Sequence, residues 1–191
     1  MKLSDILAGD RVTVSCELFP PKTGAALEKV EDVLRDTAAL GPDFISVTYG
    51  AGGSTSKRTL ELASRLQDVY HVPALAHLTC VSSTREEVAA QAARLQAAGL
   101  ENILALRGDV PQDASFPSPA QFRYASELVS YLRGLPGGGD LCIGGACYPE
   151  GHVECPHFSA DLDNLKRKVD AGLDFLTTQM FFDNDVLYRF L

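Results

Sequence analysis

ALAHLTCVSSTREEVAAQAARLQAAGLENILALRGD, residues 74–109, reads as a strand, a helix and a second strand in succession. The runs at 74–79 and 102–106 are short and apolar, and turn-forming residues bound them. Between them, Ser83 followed by Glu86 suggests a capping box ahead of the helical stripe Val88, Ala92 and Leu95, and Gly99 stops the helix. Two strands joined by a helical crossover must run parallel.

The same unit recurs on both sides. Strand candidates fall at 12–19, 44–49, 74–79, 102–106, 141–147 and 175–182. Leu27, Val30, Leu34 and Thr37 form a helical stripe that ends at Gly41-Pro42. Ser118-Pro119 reads as an N-cap with proline in the first turn, ahead of Phe122, Leu128 and Leu132. Ser159 opens a helix carrying Leu162, Leu165 and Val169, closed by Gly172. Regular βα alternation predicts an α/β fold with a parallel sheet. A polar residue stands at each strand exit: Glu17, Thr48, His77, Asp109, Tyr148 and Gln179, spaced 29 to 39 residues apart. A TIM-type (β/α)8 barrel places its active site at the C-terminal ends of its strands, so these six point to one shared pocket. The expectation is a single barrel domain over residues 1–191, with about six of the eight βα units present. A doubly wound sheet is the alternative.

Composition narrows the class. The chain is 46% hydrophobic and 22% charged, so it can bury one core and has no signature of disorder. A net charge of -8 without a basic stripe speaks against a nucleic-acid partner and leaves room for a local cationic cluster. No apolar run is long enough to span a membrane, and the N-terminus MKLSDILAGDR lacks a secretory core. Cys16, Cys80, Cys142, Cys147 and Cys155 are odd in number and include no CxxC, which suits reduced thiols in a cytoplasmic protein.

Several constellations carry candidate chemistry. Tyr49-Gly50-Ala51-Gly52-Gly53-Ser54-Thr55 joins a strand to a helix and is either a tight turn or a cradle for phosphate at a helix start. Arg107-Gly108-Asp109 turns sharply after a strand, aiming two charges at the sheet mouth or into solvent. Glu17 stands between Cys16 and Leu18-Phe19-Pro20-Pro21. A carboxyl in apolar surroundings holds its proton more tightly, as a general acid requires, whereas a strand-end glutamate facing water does not. Asp161, Asn164 and Lys168 share one helix face with Arg167 beside them, either a ribose and diphosphate site or a solvated face. Cys147, His152, Cys155 and His157 cluster in sequence, but their spacing matches no common zinc site, and no metal is assigned.

The stretches SCELFPPKTG, DFISVTYGAGGST, ALAHLTC, NILALRGD, RYASELV, ACYPEGH, DLDNLKRKVDAG and TTQMFFD, in this order, resemble the methylenetetrahydrofolate reductase family, particularly its bacterial single-domain members. They span nearly the whole chain. The resemblance implies a β/α barrel that binds FAD and performs ping-pong hydride transfer. NADH or NADPH reduces the flavin, which then reduces 5,10-methylenetetrahydrofolate to 5-methyltetrahydrofolate. It implies Glu17 as general acid, Asp109 beside flavin and pterin, and Gln179 as a pterin hydrogen-bond partner. Thr48 falls near the nicotinamide, with Tyr49 and Ala51 lining the flavin pocket. His77, Arg107, Gly108, Ala125, Tyr148, His152, Asp161, Asn164, Arg167 and Lys168 match FAD-contacting positions. Family members commonly assemble, so a homo-oligomer is expected. The segment 153–158 departs from the family pattern, and the last two strands have no counterpart. Rival expectations are a phosphate-binding barrel lyase, which would need a Schiff-base lysine or a metal that no strand candidate supplies, and an FAD-binding subunit without turnover.

Overall fold

Six parallel strands hydrogen-bond in the order in which the chain makes them, β1 (Ser15–Leu18), β2 (Phe44–Val47), β3 (Ala74–Thr79), β4 (Asn102–Leu106), β5 (Cys142–Cys147) and β6 (Phe175–Thr178). The computed structural model describes residues 1–21, 29–49, 56–81, 83–110 and 121–191. Leu27, the Gly50–Thr55 loop with Ala51, and Ser118-Pro119 lie outside the described residues. A doubly wound sheet reverses its strand order at a switch point; this sheet does not, so the winding is that of a β/α barrel. The outcome is a curled half-barrel with α2 (Val30–Ala39), α3 (Ser56–Asp68), α4 (Arg85–Ala97), α5 (Ala125–Gly134) and α6 (Phe158–Asp170) following successive strands. A short α1 (Leu3–Leu7) precedes β1, and α7 (Asn184–Phe190) follows β6.

Strand alternation sorts the side chains onto two faces. Ile45, Val47, Ala74, Ala76, Leu78, Ile103, Ala105 and Ile143 face the helices, where they pack with Leu34, Leu66, Leu95, Leu128 and Leu132. Burying a leucine in such a layer contributes about 1.5–3 kcal/mol. The inner face holds a smaller cluster, Leu75, Leu104 and Cys142, closed from below by Leu3 of α1. Asn102 secures that plug: its Oδ1 accepts the Leu3 N–H at 2.8 Å, and its amide donates to the Met1 carbonyl at 3.1 Å. In β5, a Cβ on inner-face Gly144 would lie 2.3 Å from the Phe175 ring, so a glycine lets β6 pack closely there.

Several boundaries differ from expectation. β1 is shorter than 12–19, and β6 stops at Thr178 rather than 182. Both are edge strands with a partner on one side only, so the flanking Val12, Val14, Met180 and Phe182 stay exposed. The capping box of α4 sits one residue later than predicted. Thr84 Oγ1 accepts the Glu87 N–H at 3.2 Å, and Glu87 Oε2 accepts the Thr84 N–H at 2.7 Å. Ser83 is instead buried in the preceding turn, with its N–H on the Cys80 carbonyl. Helix α5 starts at Ala125, not ahead of Phe122. Phe122 is buried before the helix begins, tilted against Tyr131 with the Arg85 guanidinium over its ring. No helix among the described residues is long and apolar enough to cross a membrane.

Candidate active site

Two groupings occupy the C-terminal side of the sheet. The first lies on the inner face of β1, β2 and β3. Glu17 and Ser46 are register partners, and the Ser46 hydroxyl donates to Glu17 Oε2 at 3.2 Å. His77 Nε2 lies 3.7 Å from that same oxygen, and the His77 side chain is only 9% exposed. Burial pushes the His77 pKa down while Glu17 opposes the shift, which favours a neutral imidazole at neutral pH. His77 Nε2 and Thr79 Oγ1 are both buried without a hydrogen-bond partner among the described residues. Orphaned polar atoms of this kind are costly unless something else meets them.

Of the two settings the sequence leaves open for Glu17, the structure has the more exposed one. Its side chain is 48% exposed. Among the described residues β1 pairs only with β2, which leaves Glu17 on an edge strand. Its neighbours, rather than burial, define its environment.

The second grouping is a cleft of about 570 Å³ between the exits of β4 and β5 and the starts of α5 and α6. It gathers Arg107, Ala125, Tyr148, His152, Asp161, Asn164, Arg167 and Lys168, eight of the residues singled out from sequence. The turn 107–109 shapes one wall. Gly108 adopts φ +85, and a Cβ there would lie 2.6 Å from Val81 Cγ1, so neither the backbone nor the packing admits a larger residue without strain. Arg107 makes a bidentate pair with Glu154, at 2.7 and 2.8 Å. Glu154 belongs to the segment that departs from the family pattern. That segment is tied down elsewhere as well: the Glu154 N–H donates to His152 Nδ1 at 3.1 Å, and the His152 N–H donates to Asp161 Oδ2 at 2.9 Å.

The far wall comes from α6. Arg167 donates to Asn164 Oδ1 at 3.0 Å, and the Lys168 ammonium donates to the Ala146 carbonyl at the end of β5. Burial lowers the Lys168 pKa, with the Cys147 and Asp161 charges opposing. Tyr148 stands edge-on to His152 with ring centroids 4.7 Å apart, and burial raises its phenol pKa. The face 161–168, read from sequence as a ligand site or a solvated face, therefore borders a cleft. Its donors suit an anion with paired oxygens: a planar fork, a second guanidinium and a half-buried ammonium.

The remaining expected site residues lie apart. Asp109 is exposed at the β4 exit, near enough to Tyr148 to act on its phenol electrostatically. Thr48 is half-buried just past β2, its N–H on the Leu18 carbonyl and its own carbonyl accepting the Thr59 hydroxyl. Tyr49 packs against the outer core, and its hydroxyl donates to Gln91 of α4 at 2.6 Å, so its ring lies on the helix side of the sheet rather than in the barrel interior. Gln179 is exposed after β6 with its N–H on the Cys147 carbonyl. Of the six strand-exit residues, Glu17 and His77 meet on the inner face and Tyr148 lines the cleft. Among the described residues no three His, Cys, Asp or Glu side chains converge to hold a metal ion.

Two residues of these groupings escaped the sequence. The alternation Phe44-Ile45-Ser46-Val47 could have placed Ser46 on the inner face, but only the β1–β2 register puts it beside Glu17. Glu154 had no local signal, since its partner is 47 residues away.

A family model described as methylenetetrahydrofolate reductase matches residues 2–191. The chain is 37% identical over 201 residues to "Probable methylenetetrahydrofolate reductase (NADH)" of Oryza sativa subsp. japonica, covering 100% of this chain and 34% of that one. It is 38% identical over 180 residues to "5,10-methylenetetrahydrofolate reductase" of Escherichia coli, covering 94% of this chain and 58% of that one. The chain thus spans about a third of the plant relative and somewhat over half of the bacterial one. Among solved structures, oxaloacetate acetylhydrolase superposes with a TM-score of 0.66 at 12% identity, covering 99% of this chain and 66% of that one, which is a likeness of fold alone.

Proposed function

Because the chain belongs to the methylenetetrahydrofolate reductase family, we propose that it takes part in the FAD-dependent reduction of 5,10-methylenetetrahydrofolate to 5-methyltetrahydrofolate by NADH or NADPH. The observation that carries this is the cleft at the β4 and β5 exits, where Arg107, Arg167 and Lys168 face one space beside Asp161 and Asn164. The donor set fits a dinucleotide. The Arg107 fork already holds a two-oxygen anion in the Glu154 carboxylate, with the bidentate geometry a phosphate shares. Arg167 and Lys168 would neutralise the diphosphate, Asp161 and Asn164 would take ribose hydroxyls, and Tyr148 offers an aromatic wall. Bound FAD would supply hydride transfer between the nicotinamide and the folate, in the ping-pong order that one shared flavin face imposes.

The chain's own groups do the proton chemistry and the orienting. Glu17 donates a proton to the departing nitrogen as a C–N bond of the folate's imidazolidine ring opens, leaving the iminium that accepts hydride. His77, kept neutral by burial, stands beside it without competing for charge. Asp109 and Gln179 hold the pterin, and Thr48 lies by the nicotinamide. NADH is the reductant favoured by the names of the plant relatives. The half-barrel is read as six units of a (β/α)8 barrel, in a cytoplasmic homo-oligomer. A second possibility is cofactor binding without folate turnover.

The test begins with the visible spectrum of the purified chain after incubation with FAD and gel filtration. A retained flavin band that NADH bleaches and methylenetetrahydrofolate restores supports the full reaction. Bleaching without restoration selects the second possibility, and a colourless protein refutes both. Glu17→Gln is expected to abolish the folate step while leaving flavin reduction intact. Equal loss of both half-reactions contradicts the role of Glu17.

A further inference from the structure

A hydroxyl sits where the inner face of β2 would ordinarily carry an apolar side chain. Ser46 lies between Ile45 and Val47, both fully buried toward the helices, and is itself only 7% exposed. Its side chain meets Glu17 on the neighbouring strand, and its hydroxyl donates to Oε2 at 3.2 Å. The other group beside that oxygen, His77 Nε2, stands at 3.7 Å, beyond a good hydrogen bond.

Glu17 needs such a partner. It is on an edge strand, half exposed, on a side chain with three rotatable bonds. A general acid must present its proton within hydrogen-bond reach of the departing atom, and displacements of about 1 Å can cost on the order of 100-fold in rate. We propose that Ser46 is a positioning residue for Glu17: its hydroxyl holds Oε2, so that Oε1 carries the transferable proton and faces the substrate. The stereochemistry is consistent, because an O–H that donates to Oε2 leaves the acid's own proton on the other oxygen. The β1–β2 register, which pairs the two residues, sets the contact before any ligand binds. This role rests on the assignment of Glu17 as the acid.

Two measurements on the full chain test it. The first needs no cofactor or turnover. In protein carrying 13C-labelled glutamate, the Glu17 carboxyl band is identified in the infrared by its loss in Glu17→Gln. That band is expected to move in Ser46→Ala and to return in Ser46→Thr, which keeps the hydroxyl; an unmoved band in Ser46→Ala overturns the contact. The second follows the half-reactions of the FAD-loaded chain by rapid mixing. Ser46→Ala is expected to slow folate-driven flavin reoxidation roughly 10- to 100-fold, leave NADH-driven reduction unchanged, and be rescued by Ser46→Thr. Equal slowing of both half-reactions, or a folate step unchanged in Ser46→Ala, overturns the role. A wild-type chain that lacks the folate step refutes the proposed function and the role together, while the infrared band still reports the contact by itself.

Discussion

Replacing Glu154 by glutamine keeps the shape of the side chain that grips Arg107 and removes its charge. Arg107 cannot give its fork to a diphosphate while it holds the Glu154 carboxylate at 2.7 and 2.8 Å, so binding an anion in the cleft must first open that pair. The side chains are 21% and 55% exposed, which makes this a partly screened pair worth about 0.2–1 kcal/mol, with the bidentate geometry placing it toward the upper end. Removing that cost should tighten FAD binding by up to about fivefold, since about 1.4 kcal/mol corresponds to tenfold. The assay is quenching of flavin fluorescence on titration with protein at low ionic strength, repeated in high salt, where the gain should shrink. Acid should erase the difference too. Arg107 holds the Glu154 carboxyl below its ordinary value of 4.5, so the pair persists above that pH and is lost as pH falls through the lowered value. An unchanged or weaker affinity in a variant that folds normally would refute the competition.

Three further outcomes follow from the geometry. Gly108→Ala places a methyl 2.6 Å from Val81 Cγ1 at a φ of +85 and should destabilise the chain by about 1–3 kcal/mol, read as a lower urea midpoint; an unshifted midpoint would show that the turn can adjust. Thr84→Ala removes the side-chain half of the α4 capping box and should cost about 1 kcal/mol in thermal or urea unfolding, whereas Ser83→Ala should leave the cap untouched. His77 is buried neutral, with its pKa pushed below 6.5, so the unfolded chain takes up a proton at higher pH than the folded one. Stability is therefore fully present above 6.5 and declines as pH falls through the lowered value. His77→Asn should flatten that part of the pH dependence in urea titrations, and an identical slope in the variant would show that His77 is not its source.

The order of strands and helices was legible in the residues because it rests on local periodicity. Runs such as ALAHLT and NILAL have the length and composition of strands buried on both faces, and the stripes of α2, α4 and α6 repeat at helical spacing. Arg107, Tyr148, Asp161, Asn164, Arg167 and Lys168 were likewise found from sequence, because each stands at a strand exit or on one helix face and the fold brings those places to a common side. Other features depend on neighbours far along the chain. Thr84 rather than Ser83 caps α4 because the turn after β3 buries Ser83, a choice that helical periodicity leaves open by one residue. Asn102 is the first residue of β4, as its sequence suggests, and it also clamps α1, 99 residues away from Leu3, which the sequence did not show. Whether Glu17 has an apolar setting or faces water was open in the sequence; it is half exposed, because exposure at an edge strand is set by which strands flank it. The pairing of Arg107 with Glu154 and of Glu17 with Ser46 came only from tertiary structure. Local sequence determines which backbone conformation and which face a residue takes, whereas charge pairing, burial and side-chain hydrogen bonds depend on distances that the folded sheet alone sets.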